Sequence, residues 1–167
     1  ATFQRLQLPA ILDRHFPPPL HWKGPLTPGE VLAVWLLFVV SQGDHCLNHL
    51  QPWVQQHHGT LQALLGKPLR PLDCHDDRLA DLLDRLASGD AWYAFETDLN
   101  RHTLRVYDLP HDLIRIDTTT ANSYAQVQSA QGLLQFGHSK DDPDRPQVKI
   151  AAAVLDPLGL PLTTTVV

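Results

Sequence analysis

The sequence predicts an α+β chain, with a helical first part followed by three β-strands. Three observations carry this. Apolar residues recur at helical spacing as far as about residue 105. At Asp112 the pattern changes to a β-branched, mostly apolar run, Leu113-Ile114-Arg115-Ile116-Asp117-Thr118-Thr119-Thr120, expected as a buried strand. Finally, Asp156-Pro157-Leu158-Gly159 is a turn signal short enough to fold the last two apolar runs into an antiparallel hairpin.

With 43% hydrophobic and 19% charged residues in 167, the chain can bury a core, and a disordered class does not fit. The longest apolar run, Val31 to Val40, is too short for a bilayer, which needs roughly 20 residues. No basic segment precedes an apolar one at the start, so no signal peptide is read. Two cysteines make no disulfide scaffold, and a reducing cytoplasm is the expected compartment. The net charge of −5 argues against this piece holding DNA alone through a broad basic face. The chain has no methionine and closes on the β-like run Leu162-Thr163-Thr164-Thr165-Val166-Val167, which together lead us to expect a fragment of a longer product.

Residues 1–15 read as a short helix interrupted by Pro9, ended by the stiff connector Pro17-Pro18-Pro19. Thr27-Pro28-Gly29-Glu30 is a helix start: Thr27 caps, Pro28 suits the first position, and Glu30 completes a capping box. The helix from Val31 to about Ser41 is apolar nearly all round, as a central helix would be, and Gly43 is its stop. Residues 44–66 are again helical in pattern, punctuated at Pro52 and Gly59. Asp76 to Ala87 is the clearest amphipathic helix, with Leu79, Leu82, Leu83 and Leu86 on one face. Ser88-Gly89 ends it, and Ala91 to about Thr103 carries a further helix. After the first strand comes a polar segment, 121–147, long enough to suggest function. The strands Val148 to Leu155 and Leu160 to Val167 follow.

The candidate chemistry centres on Asp117. A carboxylate at the C-terminal end of an apolar strand is costly unless solvated, paired or bound to a cation. Two readings stand: a metal ligand, or a strand-end residue capping a Thr-rich turn. Gly137-His138-Ser139-Lys140-Asp141 suits a loop approaching a phosphate, and equally a solvated surface loop. Cys46, His49, Cys74 and His75 have zinc-binding side chains, but their spacing does not match the usual fingers. Asp156, at a Pro-Gly turn between paired strands, is rejected as a second catalytic acid.

Four stretches resemble DDE transposases of bacterial insertion sequences, of the kind with a small helical N-terminal domain. They are Leu26-Thr27-Pro28-Gly29-Glu30-Val31, His75-Asp76-Asp77-Arg78-Leu79, Ile116-Asp117-Thr118-Thr119, and Gly137-His138-Ser139-Lys140-Asp141 with Pro146-Gln147-Val148 ahead of Leu155-Asp156-Pro157-Leu158-Gly159-Leu160-Pro161-Leu162. Where that family tends to read Arg-Pro-Asp-Leu-Pro-Gln, this chain has Asp142-Pro143-Asp144-Arg145-Pro146-Gln147. The resemblance implies a helical domain over 1–108, for DNA-end recognition or assembly. Residues 109–167 would then be the first three strands of an incomplete ribonuclease-H-like mixed sheet. It implies that Asp117 is the first carboxylate of the DDE triad and a ligand for Mg²⁺ (or Mn²⁺). Thr118, Thr119, His138, Ser139 and Lys140 would be substrate-binding. The implied partners are transposon-end and target DNA and, in the synaptic complex, further copies of the chain, with no membrane. The second Asp and the Glu would lie downstream, so the parent would be an enzyme and this piece inactive alone. The rival expectation is a non-enzymatic helical DNA- or protein-binding module left from a degraded element.

Overall fold

The capping box forms as its residues dictate. Thr27 Oγ1 accepts the Glu30 amide at 3.2 Å while Glu30 Oε2 accepts the Thr27 amide at 2.8 Å. In the computed structural model, which describes residues 5–87, 89–127, 129, 132–137, 142 and 144–166, this box opens the helix at the centre of the core. The chain is mixed α+β. The helices are α1 (Leu8–His15), α2 (Pro28–Gln42), α3 (Leu47–Gln56), α4 (His58–Leu65), α5 (Asp76–Leu86) and α6 (Gly89–Tyr107), with a 3-10 turn at Pro71–Cys74. The strands β1 (Ile114–Asn122), β2 (Gln147–Leu155) and β3 (Leu160–Val166) form one antiparallel sheet in the order β1-β2-β3. One compact unit ends at Val106 and the other begins at Tyr107.

In the helical unit α2 supplies Val31, Leu32, Val34 and Phe38 to a core completed by Leu50, Val54, Leu61, Leu79, Leu82 and Phe95. Gly29 is required where α2 meets α1: a Cβ there would stand 2.3 Å from the Pro9 carbonyl oxygen. Gly43 stops α2 in the left-handed conformation, φ 65°. Pro9 interrupts the pattern as expected: Arg5 and Leu6 are helical, Gln7 turns to the left-handed φ of 49°, and α1 starts afresh at Leu8 with Pro9 in its first turn, where a missing N–H is no loss. One local expectation is corrected. Pro52 lies inside α3 without ending it. The hydrogen bond it forfeits is offset by full burial of Leu50 and Val54 on the same helix. No single helix among the described residues is long and apolar enough to cross a membrane.

In the sheet unit the Asp156–Gly159 turn closes β2 on β3, with Leu155 opposite Leu160 and a register shift between Ala153 and Val154. β1 pairs with β2 from Ile114↔Leu155 to Asn122↔Gln147. The expectation of a buried strand at Leu113–Thr120 is corrected. The strand forms, but Ile116 is 76% exposed and Ile114 53%. Among the described residues of its unit β1 has one neighbouring strand and no helix over either face, so its apolar composition finds no layer there to pack on.

Candidate functional site

Asp117 is the fourth residue of β1, and the strand runs on through Asn122. The carboxylate is therefore mid-strand, and Thr118, Thr119 and Thr120 continue the strand instead of forming a turn. Strand alternation places Asp117 on one face with Arg115 and Thr119, and Thr118 on the other with Ile116 and Thr120. Only one of the two threonines thus shares the face of the carboxylate. Thr118 contributes its backbone instead: its amide donates to Asp117 Oδ1 at 2.8 Å.

Register decides the surroundings. Across the sheet Asp117 is opposite Ala152, which is opposite Thr164. These small side chains leave the exposed carboxylate uncovered. Among the described residues it has no cationic partner. Lys149 is opposite Thr120 and faces away. Arg115 shares the face, but its guanidinium is held by Asp156 at 2.7 Å. Arg145 is engaged by Asp142 at 2.7 Å and stacks over the Tyr124 ring at 4.0 Å.

Asp156 lies at the start of β1, its amide donating to the Leu113 carbonyl at 3.0 Å. Asp117 is four residues further along the strand, about 14 Å at the usual rise. The two carboxylates cannot share a metal ion. The remaining predicted substrate residues, His138, Ser139 and Lys140, lie outside the described residues, as does Asp141. Gly137, just before them, is packed against the head of β2, where a Cβ would stand 2.4 Å from Gln147 Nε2.

The helical unit holds polar groups that sequence reading passed over. Asp73, 1% exposed, accepts the Arg70 amide at 2.9 Å and Arg70 Nη2 at 2.7 Å, with Arg78 Nη1 at 3.5 Å. Burial pushes its carboxyl up, but the hydrogen bonds of Arg70 and the charges of both arginines outweigh this and hold it below the ordinary value. Arg78 also stacks on Trp22 at 3.7 Å. Gly24, at φ 106°, closes over this network; a Cβ would stand 2.6 Å from Asp73 Oδ1. The available signal was an Arg three residues before an Asp, at a proline that starts a helical turn. A cavity of about 500 Å³ alongside has Lys23, Arg78 and Arg85 in its wall, but also Asp81 and Asp84, so it selects for neither sign of charge.

The four zinc-type side chains do not assemble. Cys74 is fully buried in the apolar core, where burial pushes its thiol up to about 12. His75 Nδ1 caps α5 by accepting the Arg78 amide at 3.3 Å. Cys46 and His49 instead lie with Asp44 at the α2–α3 corner. No protein-family model, no curated protein and no solved structure matches this chain.

Proposed function

We propose that this chain is part of a DDE transposase of the bacterial insertion-sequence kind. On this reading the helical unit recognises transposon ends or assembles a homo-oligomeric synaptic complex. The sheet unit begins a ribonuclease-H-like catalytic core acting on cytoplasmic DNA. The observation that supports it most is Asp117, an exposed carboxylate beside small neighbours with no cationic partner among the described residues. Among the described residues the outer edge of β1 is unpaired, which adds support, since a mixed sheet continues beyond three antiparallel strands and β1 leaves room for a further one.

The chemistry this implies is phosphoryl transfer at DNA ends, in which two Mg²⁺ ions (or Mn²⁺), about 3.5–4 Å apart, stabilise the attacking and leaving oxygens. Hard cations take oxygen ligands. Asp117 would supply one, with Thr119 on the same face; His138, Ser139 and Lys140 would approach the phosphates. A single carboxylate does not hold two ions, and Asp156 is committed to Arg115 too far away to be the second. The further Asp and Glu would come from sequence outside these residues, and the 167-residue chain alone would be inactive. A second reading, a non-enzymatic helical DNA- or protein-binding module, draws support from the helical unit having a core of its own.

The test is to express the whole reading frame containing this chain and assay Mg²⁺-dependent strand cleavage of DNA carrying the repeats that flank it. Cleavage that Asp117→Asn abolishes is expected. Equal cleavage by Asp117→Asn would contradict the assignment. DNA binding without cleavage would favour the second reading.

A further inference from the structure

We propose that Asp44, Cys46 and His49 form a three-ligand zinc site at the corner between α2 and α3. A carboxylate oxygen, a sulfur and an imidazole nitrogen from these side chains lie within 4.8 Å of one another. That brings three different donor types together, and the combination is selective. A thiolate and an imidazole disfavour Mg²⁺ and Ca²⁺, whereas Zn²⁺ takes S, N and O donors tetrahedrally. Three protein ligands leave a fourth position for water or another group.

The corner is fixed by the core. The axes of α2 and α3 meet at 89° across the short link that holds Asp44 and Cys46. Gly43 closes α2 on one side; on the other, Leu50 and Val54 of α3 are fully buried. Phe38 meets Trp53 edge-on, with ring centroids 5.6 Å apart. Asp44 and Cys46 therefore sit in a short link between two anchored helices and His49 in the first turn of the second, so little ordering remains for an ion to impose.

The carboxylate is already divided between two tasks. Asp44 Oδ1 accepts the Cys46 amide at 2.9 Å, while Oδ2 is 2.7 Å from His49 Nδ1. Without an ion, Oδ2 and His49 Nδ1 are paired with each other, and a metal would replace that contact while the Cys46 amide keeps the carboxylate oriented. Binding exchanges the thiol proton for the ion: Cys–SH and Zn²⁺ give Cys–S⁻–Zn²⁺ and a proton released to solvent. The site does not depend on the transposase reading.

The experiment uses the untagged 167-residue chain, stripped of metal in a phosphine reductant and titrated with CoCl₂ as a spectroscopic substitute. One equivalent should produce a thiolate-to-cobalt band and the strong visible bands of four-coordinate cobalt, both abolished by ZnCl₂. Cys46→Ser should remove the thiolate band, and His49→Ala should weaken binding at least about tenfold. Cys74→Ala should leave both signals in place. In the wild-type chain zinc should protect Cys46, the exposed thiol, from iodoacetamide, with buried Cys74 unreactive throughout. The proposal is overturned by a band that survives Cys46→Ser, by no saturable binding below about 100 µM, or by a Cys46 alkylation rate that zinc leaves unchanged.

Discussion

Asp73 and Asp117 are both carboxylates, one in each unit, and they stand in opposite environments. Asp73 is 1% exposed and tied to Arg70 and Arg78. Asp117 is exposed, with one backbone hydrogen bond and no cationic partner among the described residues. The units around them differ in the same way. Among the described residues, every buried apolar one except Leu155 belongs to the helical unit. The sheet unit leaves Leu113, Ile114 and Ile116 in water. An acid whose removal would disturb the fold is a structural device, whereas one that the fold presents without using is available for chemistry.

The sharpest break should come from the core. Leu79 has no exposed surface, and Leu79→Ala should cost about 2–5 kcal/mol in urea unfolding followed by helical circular dichroism. Next comes Asp73→Ala, which strands the nearly buried Arg78. Removing one partner of a fully buried pair costs about 3–5 kcal/mol, but Arg70 is 61% exposed and regains water, so about 2–3 kcal/mol is expected. The pH dependence has a definite sign. The folded value of Asp73 lies below the unfolded one of about 3.9, so its contribution is complete above that pH and is lost as pH falls through the folded value. Asp73→Asn should therefore flatten the acid limb of the stability profile. Thr27→Ala, which removes half of the α2 capping box, should cost about 1 kcal/mol. Ile116→Ala on the exposed strand should change stability by less than about 0.5 kcal/mol; a loss near that of Leu79→Ala would mean that β1 is covered after all.

Local chemistry was legible in the sequence. The Thr27–Glu30 box, the Gly43 stop, the leucine face of α5 and the β2–β3 turn each depend on residues within a few positions of one another. What depends on distant parts was not. The apolar composition of β1 reads as burial, yet burial requires a covering layer, which a strand's own residues do not specify. Pro52 reads as a break because its compensation, the burial of Leu50 and Val54, comes from the core. Cys46 and His49 were visible as ligands, but not their convergence with Asp44, which the α2–α3 corner creates. Asp117 was found as a candidate, while its register beside Ala152, and the facing of Thr118 away from it, required the strand pairing.

The most direct test compares the two carboxylates by the same measurement. Urea unfolding of the 167-residue chain at neutral pH should show Asp117→Asn within about 0.5 kcal/mol of wild type, since among the described residues that carboxylate holds only its own neighbour's amide. A loss of about 2 kcal/mol or more, comparable to that of Asp73→Ala, would make Asp117 a structural residue and contradict the account.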